Sequence, residues 1–249
     1  MFDMRLALEL GLDIPIPECQ CILHQPKLKE IAIMGENDFN IGVQVLCIDK
    51  NSIQFSDLIN LDEINNFNLL MRFLEDKEAA DKKQTVKDVL SLVFNQYKII
   101  LTPRSILCNK DGENLIIDEG NFDSFQKILK KIFCLDRSKK DKDNDIPETY
   151  NPANDAAKKI AEKLYKGRKK IAEIKTNKYP DDSVLSRYTS VLAIGLGYTI
   201  EEISNLTFFQ IIDLFERYTS KVRYDTDISV RLAGGKPDEQ PDHWMGPLH

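Results

Sequence analysis

The chain has 249 residues, 42% of them hydrophobic and 30% charged, with a formal net charge of −6. That length allows one large domain or two small ones, with enough chain for a real core, and the composition is that of a soluble globular protein. The absence of an apolar run near the ~20 residues of a spanning helix excludes a transmembrane reading. The opening "MFDMRLALELGLDIPIPE" lacks the basic region and long apolar stretch of a secretion signal.

Five cysteines, Cys19, Cys21, Cys47, Cys108 and Cys134, lie scattered through apolar segments. Their odd number and placement fit reduced, buried thiols in a cytoplasmic compartment better than a disulfide framework. The charge is uneven. Residues 158–178 hold nine Lys/Arg against Glu162 and Glu173, a local balance of +7 that leaves −13 for the rest. Such a block is either a solvated helix face or a nucleic-acid surface, with Lys169 and Lys170 at its centre.

In chain order, Pro15 and Pro17 impose an extended stretch, and "CQCILHQP" reads as a short strand stopped by Pro26. Two short helical patterns follow, broken at Gly35. Apolar residues recur at helical spacing from Asp57 to Leu74 and again from Val86 to Tyr97, predicting amphipathic helices that need a common core. The period then changes. "YKIILTPRSILCNKDGENLIID" places two apolar runs around the turn-forming "NKDGEN", a β-hairpin signal that the Cys19 to His24 strand could join. Phe122, Phe125, Ile128, Leu129, Ile132 and Phe133 line one face of a further helix.

The stretch 136–149, "DRSKKDKDNDIPET", is almost devoid of apolar residues and is the expected linker, between an α+β domain at 1–135 and a helical domain at 150–249. Beyond it, Asn151–Pro152 opens the basic helix. A helix from Asp182 to Leu196 ends at Gly197, and "TIEE" at Thr199 and "TFFQ" at Thr207 are capping boxes. The second box starts a long helix with Phe208, Ile211, Ile212, Phe215, Tyr218 and Val222 along one stripe, which Gly234 and Gly235 can terminate. The predicted class is mainly α (α+β), with a small β element in the N-terminal half.

Signals for chemistry are weak. In "LAGGKP" the glycines follow a helix and a proline follows the lysine, the reverse of a phosphate-binding loop. Cys19, Cys21 and His24 lack the second ligand pair of a structural zinc site. Asp242, His243 and Trp244 adjoin no serine or cysteine in a nucleophile motif. The expectation is therefore a protein without catalytic residues, metal or cofactor. Nor does the basic block interleave aromatics as single-strand binders do, with only Tyr165 and Tyr179 available, so nucleic acid is not the favoured partner.

Several segments together resemble a family of tailed-phage proteins from low-GC Gram-positive hosts. They are "ILHQPKLKEIAIMGENDFNIGVQVLC", "FDSFQKILKKIFCL", "YNPANDAAKKIAEKLYKGRKKIAEIK", "LTFFQIIDLFERY" and "YDTDISVRLAGGKPDEQPDHWM". The usual "LAGAK" and "NWM" of that family stand here as "LAGGK" and "HWM". The resemblance implies tail morphogenesis: a tail assembly chaperone or baseplate assembly factor, acting in the host cytoplasm by contact with tail proteins such as the tape-measure protein, or by self-association. A component retained in the virion tail is the alternative, and a nucleic-acid-binding phage protein a second one. Trp244 and Met245, in a Pro/Gly-rich tail, are the residue types of an adaptable partner anchor. The competing reading is that Trp244 folds back into the chain's own core.

Overall fold

A computed structural model describes residues 2–50, 64–75, 80–95, 97–110, 113–136, 183–233 and 243–246. The expected linker beyond Asp136 and the basic helix with Lys169 and Lys170 lie outside the described residues.

Asp3 caps the first helix, α1 (Met4–Glu9), its carboxylate accepting from the Leu6 N–H at 3.0 Å. Strands β1 (Ile14–Ile16) and β2 (Cys21–Leu23) then pair antiparallel around a 3₁₀ turn at Pro17–Cys19, with Gln20 left-handed at φ 51°. Helices α2 (Leu28–Met34) and α3 (Glu36–Leu46) meet at Gly35, whose φ of 98° breaks the helix where the sequence predicted. Two amphipathic helices follow, α4 (Asn66–Glu75) and α5 (Ala80–Val93).

Next come β3 (Lys98–Thr102), β4 (Ser105–Lys110) and β5 (Glu113–Ile117), an antiparallel meander in the order β3-β4-β5. Helix α6 (Phe122–Ile132) closes the N-terminal half. The C-terminal helices are α7 (Val184–Leu196), α8 (Ile200–Ser204) and α9 (Phe208–Leu232). The fold is mainly α with two small antiparallel sheets, as the sequence predicted.

Two β expectations are corrected. The hairpin has three strands because Pro103 and Arg104 turn the chain inside the first apolar run: proline cannot donate to a ladder, and the Thr102 hydroxyl accepts from the Ser105 N–H at 3.0 Å. The strand containing Cys21 does not join that sheet. The 3₁₀ turn and left-handed Gln20 reverse the chain locally, so its partner is its own neighbour, with Ile14 opposite Leu23.

The core is aromatic and lies between α3, α4, α5, α6 and the inner face of the meander. Phe39, Phe67, Phe94, Phe122 and Phe125 are fully buried. The Phe94 and Phe125 rings stack at 5.7 Å, while Phe67 meets Phe122 edge-on at 5.4 Å. Helices α3 and α5 approach closely at Gly42, where a Cβ would lie 2.6 Å from Val89 Cγ2 and 2.8 Å from the Thr85 carbonyl.

Two compact units divide the chain: Met1–Arg137 together with Tyr188–His249, and Ser138–Arg187, of which only 183–187 are described. Leu28 donates its N–H to the Leu206 carbonyl at 2.9 Å, and Phe208 donates to Pro26 at 3.0 Å. The Phe208 ring then lies 5.6 Å from Phe39 and 6.0 Å from Phe133. The first turns of α9 thus complete the core of the N-terminal half, an outcome that the amphipathic pattern of α9 leaves open because it specifies a buried stripe but not its cover.

Candidate functional site: the C-terminal helices and tail

Local chemistry sets the starts of α8 and α9. Thr199 and Glu202 form the predicted capping box: Thr199 Oγ1 accepts from the Glu202 N–H at 3.2 Å, and Glu202 accepts from the Thr199 N–H at 2.8 Å. The hydrogen bond from the Thr199 backbone, with that from its hydroxyl, holds the Glu202 carboxyl below its usual range. Thr207 and Gln210 repeat the arrangement for α9, at 3.3 Å and 2.8 Å. Gly197 follows α7 with a φ of 75°, the left-handed stop expected there.

Helix α7 packs on α9 at two places. Tyr188 and Phe215 stack with centroids 3.9 Å apart. Further along, Gly195 admits Tyr218 so closely that a Cβ would sit 2.3 Å from its ring. Leu192, Ile203 and Ile211 of the C-terminal helices are fully buried. Several apolar side chains of the C-terminal helices are exposed: Ile194 on α7 at 87%, Ile200 on α8 at 61% and Leu232 at the end of α9 at 84%, with Leu196 and Tyr198 between the first two also exposed. Ile194 lies two residues from Leu192, off the buried side of α7, yet it is as apolar as the core residues.

The tail returns to α9. The His243 ring meets Tyr224 edge-on at 5.1 Å and lies 6.1 Å from the Trp244 ring, nearly parallel to it. The Met245 N–H donates to His243 Nδ1 at 3.2 Å. Trp244 is half-buried, and Met245 is 64% exposed. Of the four residues singled out as partner contacts, Trp244 and Met245 are therefore brought together on one turn, while Lys169 and Lys170 lie outside the described residues.

The sequence's chemical candidates form no reactive cluster among the described residues. Cys19 and Cys21 are buried, the Cys19 thiol donating to the Asn121 carbonyl at 3.6 Å. Burial pushes the thiols of Cys21, Cys47 and Cys108 up to about 12, far from the thiolate a nucleophile needs. His24 is turned toward two carboxylates, Asp13 at 3.0 Å and Glu30 at 3.4 Å. No group of three or more His, Cys, Asp or Glu among the described residues is placed to hold a metal ion. No described helix is long and apolar enough to cross a membrane.

Residues 175–249, which carry the exposed side chains of the C-terminal helices, match the family model described as the YomV second domain. Over 231 residues the chain is 24% identical to the SPbeta prophage-derived uncharacterized protein YomV of Bacillus subtilis (strain 168), covering 90% of this chain and 84% of that protein. No solved structure matches. The relative is a prophage protein, which supports a bacteriophage origin for the chain. The start of the matched model at residue 175 also sets the C-terminal helices apart as a sequence unit, although the first turns of α9 are built into the core of the N-terminal half.

Proposed function

We propose that the protein is a non-enzymatic phage tail assembly factor that works by protein–protein contact, using the apolar surface of α7, α8 and the tail. The observation that carries the reading is Ile194, 87% exposed on a helix whose other side buries Leu192 completely. Water-facing aliphatic side chains on α7 and α8 are of the kind that marks a docking site, and the exposed Met245 of the tail is a residue type that adapts to varied partners. The prophage relative and the family resemblance supply the setting. A tape-measure protein, long and apolar before the tail tube forms around it, is the partner whose chemistry fits, since its segments need a groove or apolar face to remain soluble.

Co-expression tests this. Tape-measure protein made with the wild-type chain is expected to stay soluble and co-purify, and Ile194→Asp with Met245→Asp to abolish both effects. Unchanged recovery with the double variant would overturn the proposed surface. Quantitative mass spectrometry of purified virions decides between roles: a stoichiometric amount in the particle would replace the assembly factor with a structural tail component.

A further inference from the structure

We infer that the turn at His243–Met245 is a strap that holds the distal half of α9 in helical form, so that the helix and the anchor residues Trp244 and Met245 respond to one another. Helix α9 has 25 residues. Its first turns are anchored by buried Phe209, Ile211 and Asp213, whereas the described residues from Thr219 onward are exposed or half-buried. A helical stretch of that length is marginal in water without tertiary support. Support arrives at Tyr224, which is half-buried although Arg223 and Asp225 beside it are exposed. The ring placed on it is that of His243, at 5.1 Å. The Met245 N–H bonded to His243 Nδ1 closes the turn, and the turn fixes Trp244 alongside the same imidazole.

The strap and the partner anchor are thus one element. Given the docking reading above, a partner that takes Trp244 and Met245 either lifts the ring from Tyr224 or clamps it there, and the order of the distal turns follows. Coupling of this kind needs only a segment of low local stability whose population a ligand can shift.

Hydrogen exchange on the full chain, without any partner, tests the strap. His243→Ala leaves the sequence of α9 unchanged, and Tyr224→Ala places the strongest helix former within it. Faster exchange in both therefore reports loss of the strap and not loss of helix propensity. Amides of residues 219–232 are expected to exchange about tenfold faster in either variant, while those of 209–215 keep wild-type rates. His243→Phe, which keeps a ring over Tyr224, should restore most of the protection. Equal rates at 219–232 in the wild type and His243→Ala would overturn the inference. No partner is present, so that failure would leave the docking proposal to its own test.

Discussion

Leu28 donates its backbone N–H to the carbonyl of Leu206 at 2.9 Å, joining the start of α2 to the turn before α9 across most of the chain. Phe208 returns the bond to Pro26, making Lys27 and Thr207 an isolated antiparallel bridge. Gln25 lies under this bridge, 1% exposed. Its amide donates to the Ala7 carbonyl at 3.2 Å and to that of Leu12 at 2.6 Å, and its oxygen accepts from the Thr207 hydroxyl at 3.5 Å. The same corner is sealed by the Gln210 amide, which donates to the Glu9 carbonyl at 2.9 Å.

Gln25→Ala is expected to destabilise the protein by about 1–3 kcal/mol, because it removes the side-chain donor to the Leu12 carbonyl and leaves the Ala7 carbonyl with only the Leu12 N–H at 2.9 Å. Urea denaturation measures the change. Since α1, β2 and α9 meet at this residue, fluorescence of Trp244 and far-ultraviolet dichroism should move together. A loss under ~0.5 kcal/mol would show that water replaces the amide without penalty.

Gly42→Ala tests the contact between α3 and α5. Helix propensity alone favours alanine by about 1 kcal/mol. The new methyl group would, however, meet Val89 Cγ2 at 2.6 Å and the Thr85 carbonyl at 2.8 Å. The backbone contact cannot swing away, so a net loss of about 1–3 kcal/mol is expected. Adding Val89→Ala should recover only part of it, and a stabilised Gly42→Ala would mean that the helices separate freely.

The buried thiols set a sign for alkaline pH. Cys21, Cys47 and Cys108 are held neutral by burial up to about pH 12, whereas an unfolded thiol ionises near ~8.5. Above that pH the unfolded chain binds fewer protons than the folded one, so stability falls as pH rises through this window. Each thiol contributes at most about 1.4 kcal/mol per pH unit to the decline. Denaturation between pH 8 and pH 10 should show a shallower slope for Cys47→Ala than for the wild type; equal slopes would show that Cys47 ionises in the folded state. Iodoacetamide at pH 8 should label these three cysteines slowly until denaturant is added.

Trp244 is the single tryptophan of the chain and a clean probe of the tail. A core indole would cost roughly 3–5 kcal/mol on truncation. With the indole only half-buried, Trp244→Ala should cost less than about 1 kcal/mol, with wild-type emission between the buried and fully exposed limits and partial quenching by acrylamide. Strongly blue-shifted, protected emission would return the indole to the interior.

What the sequence determined by itself is local. The capping boxes at Thr199 and Thr207, the break at Gly35, the stop at Gly197 and the aromatic face of α6 stand where residue types and spacing placed them, because each depends on contacts within about one helical turn. Only the tertiary structure decided which faces meet. Periodicity marks Phe208 as buried but does not name Phe39 and Phe133 as its neighbours, and it marks α7 as apolar without telling Leu192, which is covered, from Ile194, which is not. The pairing of β2 with β1 depends on the local reversal at Pro17–Gln20, and the return of His243 to Tyr224 on a fit that residue spacing does not specify. Hydrophobic burial is non-directional and rewards any close fit, so the choice among partners belongs to packing.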